Sequence, residues 1–353
     1  MNRYVPIREV SALVKRNATF HTKDTAVLSV TAVDAPVVRT SEEFDEIIGD
    51  SYTRNGLRPG MLASLAGIQE RRWWEEGVDF VDGAIEAGRA ALEQAGVAPD
   101  QIGLLINTSV SRTNLEPSIA VRVHHELGLP TSCLNFDLTN ACLGFVNGMQ
   151  LAATMIDAGQ IDYALVVDGE GSREPQERTL ARLSSEDATA EDILSQFATL
   201  TLGSGAAAMV LGRASTHPEG HRIVGGATRA ATEHHLLCVG DFEKMKTDTQ
   251  GLLVAGMDLA GSLWKDAAED FDWSDMDRYI VHQVSKVHTS RTAEALGIDA
   301  AKIPLTFPTF GNVGPAAVAI TLAKEAPTLS RGDRVLMMGI GSGLNMTCLE
   351  LIW

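Results

Sequence analysis

Three residues far apart in the chain are of types that work together in acyl chemistry. Cys142 stands in Thr139-Asn140-Ala141-Cys142-Leu143-Gly144-Phe145, directly after an apparent strand and at the opening of a long helical pattern. At a helix N-terminus, free backbone N–H groups and the helix dipole favour the thiolate, the nucleophilic form of cysteine. His282 closes the apolar run Arg278-Tyr279-Ile280-Val281, and Asn312 lies in Phe310-Gly311-Asn312-Val313-Gly314-Pro315. A cysteine nucleophile with neutral His and Asn donors suits acyl transfer, because the donors stabilise negative charge developing on a thioester oxygen. Taken singly, each has a plainer reading: an inert buried cysteine, a hydrogen-bonded histidine at a strand end, an asparagine in a glycine turn. Cys133, Cys238 and Cys348 keep that plainer reading, and with no CxxC pair the cysteines point to neither a disulfide framework nor a zinc site.

The elements that must position these residues alternate between β-rich and helical patterns. IGLLINTSV, SIAVRVHHELGL, CLNFDLTN, a helix from about Leu143 to Ala158 and YALVVDG follow one another in α/β order. From Gly171 to Thr199 the chain turns charged and loses strand character, which predicts a helical excursion over one face. The order then recurs. PDQIGLLINTSV (Pro99 to Val110) resembles SDMDRYIVHQVS (Ser274 to Ser285) without a gap, and YALVVDGE pairs with RVLMMGIG. LNFDLTNACLGF pairs with PLTFPTFGNVGP, so that Cys142-Leu143-Gly144 falls opposite Asn312-Val313-Gly314. Such internal similarity predicts two like halves, 1–213 (with the excursion at about 171–199) and 214–353. In an open parallel α/β sheet, ligands gather beyond the carboxyl ends of the strands, where Cys142, His282, Asn312 and the Gly339 to Gly343 loop would all meet.

Composition narrows the partners. In 353 residues, Asp and Glu exceed Lys and Arg by 46 to 29, a formal charge of −17 that argues against nucleic acid or an anionic membrane as the main partner. The opening MNRYVPIREVSALVKRN has no signal-peptide core, and no apolar run is long enough to span a bilayer, which predicts a cytoplasmic protein. GIGSGLN precedes a short apolar stretch at the chain's end rather than a helix, so it is not a dinucleotide fingerprint.

GIQERRWW, NACLGF, IVHQVS, FGNVGPAA and GIGSGLN together resemble the thiolase-fold condensing enzymes of the β-ketoacyl synthase III group, over about Thr25 to Trp353. The resemblance implies a five-layered αβαβα fold of two duplicated halves, an obligate homodimer and a Cys-His-Asn triad at Cys142, His282 and Asn312. SVSRTNLEPS looks most like the OleA-type enzymes, which condense two long-chain acyl-CoAs head to head at the start of olefin biosynthesis. In that pattern Glu116 reaches across the dimer into the partner site as the candidate base, where ordinary synthase III enzymes carry an apolar residue. The plainer reading has Glu116 complement the helix N-terminus after Pro117, whose dipole would weaken it as a base.

The reaction so implied is a Claisen condensation through a Cys142 acyl-enzyme, with the backbone N–H groups of Cys142 and of Ser342 or Gly343 as oxyanion hole. Its product is a β-ketoacyl-CoA hydrolysed to a 2-alkyl-3-oxo acid, and the reaction needs no metal or redox cofactor. Downstream enzymes of the olefin pathway are implied as further partners. Arg71, Arg72 and Trp73 are the candidate CoA contacts, guanidinium to phosphate and indole to adenine, the alternative being an exposed basic turn packed by one Trp. Two rival functions stand beside this one: an ordinary synthase III using acyl-CoA and malonyl-carrier protein, and a non-catalytic acyl-CoA-binding scaffold. A degradative thiolase is disfavoured, since Gly339-Ile340-Gly341-Ser342-Gly343 lacks the cysteine of a C-x-G-x-G pattern.

Overall fold

Apolar residues on both sides of nearly every strand set the architecture. The computed structural model describes residues 19–241 and 243–353; the stretch read above for a signal peptide lies outside the described residues. Nine strands carry the fold: β1 (Thr25–Asp34), β2 (Ile102–Asn107), β3 (Leu134–Asp137), β4 (Tyr163–Glu170), β5 (Gly205–Arg213), β6 (His221–Ala230), β7 (Arg278–Val281), β8 (Arg334–Gly341) and β9 (Asn345–Ile352). The helices that pack on them are α1 (Phe80–Ala95), α2 (Ile119–Glu126), α3 (Gly144–Asp157), α4 (Arg173–Leu183), α5 (Ala190–Leu200), α6 (Thr249–Ala267), α7 (Lys286–Leu296) and α8 (Ala316–Glu325).

The first half orders its strands β3-β2-β4-β5-β1 and the second β7-β8-β9-β6, so strands matched by the sequence repeat occupy matching places. Among the described residues, only Ala26 opposite Arg222 and Val27 opposite His221 join the two half-sheets, through β1 and β6. Side chains alternate faces along a strand. Leu104, Ile106, Ala164, Val166, Val335 and Met337 face a shared central layer with α3 and α8. Ile102, Leu105, Leu165 and Val167 face outward onto α1 and α2, and Leu336 and Met338 onto α6 and α7. The result is helix, sheet, helix, sheet, helix, the five-layered thiolase fold. The two inner helices are apolar around most of their circumference, as helices between two sheets must be.

Two expectations need correction. The half-sheets are mixed rather than parallel: β2–β3, β2–β4 and β7–β8 are parallel, while β4–β5, β5–β1, β8–β9 and β9–β6 are antiparallel. The link Ser342–Leu344 between β8 and β9 forms a tight hairpin, far too short for the crossover a parallel pair demands. The other concerns PLTF, the repeat partner of β3, which is no strand. Pro304 and Pro308 have no N–H to give a ladder, and a side chain replaces it. Gln283 Oε1 accepts from Thr306 N (2.9 Å) and Phe307 N (3.2 Å) while its Nε2 donates to Pro304 O (2.7 Å).

The charged stretch after β4 forms α4 and α5, which cover Phe44, Ile48, Tyr52 and Trp73 in a cluster of their own. Among the described residues, no helix is long and apolar enough to cross a membrane.

Replacing Gln283 by Leu would keep the volume but leave buried partners unpaired. We expect a loss of about 1–3 kcal/mol for each such group, read from the denaturant midpoint of Gln283→Leu against the wild type.

Candidate active site

Cys142 occupies a tight turn rather than the first turn of the helix proper. Leu143 N donates to Asn140 O (3.0 Å) and Gly144 N to Ala141 O (3.2 Å), closing the turn immediately before α3. Ala141 has φ 44°, a left-handed conformation uncommon for a residue with a side chain. The turn is pressed against the end of β8: a Cβ on Gly341 would lie 2.6 Å from Asn140 O, and one on Gly339 2.7 Å from Leu143 Cδ1. The hairpin Ser342–Leu344 is therefore carried to the side of Cys142, where oxyanion donors are expected.

Electrostatics reverse one expectation. Burial, and next the charge of Glu170, push the Cys142 thiol up to about 12. A helix terminus is worth roughly 0.3–1 kcal/mol, less than one pKa unit, so dehydration outweighs the dipole and the resting residue is a thiol. His282 is pushed the other way, down to about 4, by burial and then by neighbouring His288. It is neutral at physiological pH, and its Nδ1 is buried without a partner among the described residues. Its backbone is fixed to the sheet by His282 N donating to Met338 O (2.8 Å) on β8.

Asn312 is held between two chain segments. Asn312 N donates to Thr201 O (2.8 Å), Gly203 N donates to Asn312 O (2.9 Å), and Asn312 Oδ1 accepts from Gly314 N (3.1 Å). The approach admits no side chain: a Cβ on Gly203 would lie 1.8 Å from Phe310 O. Glu170 links this turn to Cys142, since its carboxyl carbon lies 3.3 Å from where a Gly314 Cβ would be and its charge acts on Cys142.

Glu116 lies on the exposed tip of the loop between β2 and α2. The duty of completing the α2 N-terminus falls to another residue. Asp137, at the end of β3, accepts from Ile119 N (3.0 Å) and Ala120 N (2.9 Å), from Asn107 Nδ2 (3.1 Å) and from Arg112 Nη1 (2.8 Å). Among the described residues, no hydrogen bond or ion pair engages the Glu116 carboxylate. Sequence reasoning missed Asp137, Asp168 and Glu170; the two acidic residues in the apolar run Val166-Val167-Asp168-Gly169-Glu170 were the available signal.

The proposed CoA contacts are not all brought to the surface. Arg71 is wholly buried: its guanidinium donates to Arg39 O (3.2 Å), Ser41 Oγ (3.0 Å) and Leu200 O (3.1 Å) and lies over Phe44. Trp73 is 2% exposed, its indole N–H bonded to Gln176 Oε1. Both alternate inward from a strand, Glu70–Trp73, paired with Val37–Thr40. They are core residues and unavailable to a nucleotide. Arg72 points the other way, onto Thr309 O and the Phe310 ring, and so supports the Asn312 turn.

Residues 136–231 match the family 3-oxoacyl-[acyl-carrier-protein (ACP)] synthase III, and residues 267–353 match its C-terminal counterpart. The chain is similar to an acyl-CoA:acyl-CoA alkyltransferase of Xanthomonas campestris pv. campestris, 44% identical over 94% of this chain and 99% of that one. It is also similar to an acyl-CoA:acyl-CoA alkyltransferase of Shewanella oneidensis, 33% identical over 90% and 96% of the two chains. Among solved structures, a cysteine-to-serine variant of Xanthomonas campestris OleA with bound lauric acid and lauroyl-CoA superposes with a TM-score of 0.92. It is 43% identical, covering 94% of this chain and 100% of that one.

Two measurements check this geometry. In the free protein, iodoacetamide alkylation of Cys142 should keep accelerating beyond pH 9, because a thiol at about 12 is far from fully ionised there; a plateau by pH 8 would contradict it. Gly203→Ala should destabilise by at least the roughly 1–3 kcal/mol of an overpacked core, seen as a lowered unfolding midpoint.

Proposed function

The chain belongs to the 3-oxoacyl-[acyl-carrier-protein] synthase III family and, within it, to the acyl-CoA:acyl-CoA alkyltransferases, and from that premise we propose that it condenses two long-chain acyl-CoAs head to head. Cys142 attacks the first thioester carbonyl; its proton passes by way of neutral His282 to the departing CoA sulfur, leaving acyl-S-Cys142 and free CoA. The second acyl-CoA loses an α-proton to Glu116, and the enolate oxygen is hydrogen-bonded by His282 and Asn312. Its α-carbon attacks the acyl-enzyme carbonyl, whose oxygen is received by the backbone N–H groups of Cys142 and of Ser342 or Gly343. The C–S bond breaks, the thiolate recovers a proton, and a 2-alkyl-3-oxoacyl-CoA leaves, to be hydrolysed to the acid. The reaction is the first step of long-chain olefin formation, takes place in the cytoplasm and feeds further enzymes of that route.

The observation that carries this reading over malonyl-dependent extension is Glu116, a carboxylate released from helix capping by Asp137 and set at a loop tip. A malonyl donor makes its carbanion by losing carbon dioxide and needs no such base. Among the described residues the outer edge of β3 has no partner strand, and exposed Leu134 on it and Val121 on α2 beside it are apolar. An open edge of this kind favours pairing with a second copy, the homodimer in which Glu116 enters the partner site.

The test is to supply one long-chain acyl-CoA with and without malonyl-carrier protein and to weigh the products. Condensation from acyl-CoA alone is expected; a strict need for malonyl-carrier protein would decide for the rival, and no release of CoA thiol would decide for a scaffold. Cys142→Ala should form no acyl adduct by intact mass. Glu116→Gln should load the first chain and fail to join the second, while His282→Ala or Asn312→Ala should slow condensation by about 100- to 1,000-fold.

A further inference from the structure

Glu170 ends β4, is 6% exposed and takes no part in the bond changes above. Its Oε1 accepts from Val110 N (2.6 Å), and its Oε2 from Ser111 N (3.1 Å) and from the Ser111 hydroxyl. Val110 and Ser111 open the loop that ends in Glu116. On its other side the same carboxyl abuts Gly314, whose N–H holds Asn312 Oδ1. The strand end is braced from behind, because Trp74 Nε1 donates to the Glu170 carbonyl at 2.9 Å.

A second buried acid makes this anchor workable. Asp168 lies on the same face of β4, its Oδ2 bonded to the Thr108 hydroxyl (2.5 Å) and its Oδ1 without a partner. Burial, and then the Glu170 charge, push the Asp168 carboxyl far up. Two close carboxyls in a dry site cannot both ionise. A neutral Asp168 turns its orphaned oxygen into a donor toward Glu170. Burial raises the Glu170 carboxyl to about 7 against the lowering by the Ser111 and Val110 bonds and by Asp168, so the one charge the pair carries falls on Glu170, on the loop amides.

We propose that Glu170 is a positioning residue that sets the loop delivering Glu116, so that in the dimer it governs α-proton removal at the partner's Cys142 rather than at its own. This rests on the reading of Glu116 as a base acting across the interface. Glu170→Gln presents an N–H group to one of the two loop amides, donor against donor, and frees the loop base. Displacing a catalytic group by about 1 Å is worth roughly a hundredfold in rate. Acylation of Cys142 should persist while condensation falls by that factor.

Mixed dimers decide the matter, made by co-expressing differently tagged chains and selecting for both tags. In a dimer of Glu170→Gln with Cys142→Ala, the one intact cysteine sits beside a mutated Glu170 but faces a loop from a protomer with Glu170 intact. Condensation per intact Cys142 should return to the wild-type rate. If it stays as slow as in the Glu170→Gln homodimer, Glu170 acts on its own Cys142 or Asn312 and the proposal fails. The control is Glu116→Gln mixed with Cys142→Ala: recovery keeps the trans reading of Glu116, whereas no recovery removes that reading and this inference with it. Ser111→Ala removes one loop bond and keeps the carboxylate; should Glu170→Gln not fold, it must show a smaller slowing that is likewise cured in the mixed dimer, and an effect on acylation instead would overturn the proposal.

Discussion

The close approach of β8 to the Cys142 turn is the constraint on which the site depends. Gly339 and Gly341 bring strand backbone to where any side chain would collide with Asn140 O or Leu143. This contact crosses the boundary between the two half-sheets, so the surroundings of Cys142 in one repeat are shaped by the terminal hairpin of the other. A chain of polar contacts reinforces it: Asn345 to Asn140 (3.4 Å), Asn140 to Asn147 (2.8 Å), Asn147 to Thr347 (3.4 Å) and Thr347 to Thr228 (2.8 Å). Satisfied networks of this kind specify one register between packed layers.

Dryness follows from that closeness, and it governs the chemistry. Burial raises the Cys142 thiol, lowers His282 and raises Asp168, so each of these groups rests neutral. The carboxylate already there, Glu170, is held by the Val110 and Ser111 amides, in surroundings where fixed N–H groups act far more strongly than in water. Glu116 lies outside these dry surroundings, exposed at the tip of its loop.

The Arg71 and Trp73 pair serves a structural purpose tied to the same site. Arg71 gathers Arg39 O, Ser41 Oγ and Leu200 O, and Trp73 holds Gln176, whose Nε2 in turn reaches Thr199 O (3.0 Å) and Leu202 O (2.8 Å). The helical excursion is thereby fastened to the segment Thr201–Ser204 against which Asn312 is zipped. Carbonyls and a hydroxyl take the place of water at both terminal nitrogens of Arg71, which offsets much of the cost of burying a guanidinium.

Residue order alone determined the αβ alternation and the doubling of the fold, because strand periodicity is a local property that repeats at matching positions. Tertiary structure decided what depends on neighbours distant in the chain. The protonation of Cys142 reflects the burial its packing creates, not the helix it precedes, and the loss of an edge strand at Pro304 became legible only through the side chain of Gln283. Arg71 and Trp73 could not be told from a surface turn until α4 and α5 were seen to cover them. The α2 N-terminus is completed by Asp137 rather than by Glu116, because β3 ends beside it. Periodicity travels along the chain, whereas dielectric surroundings and hydrogen-bond partners are set by whatever the fold brings alongside.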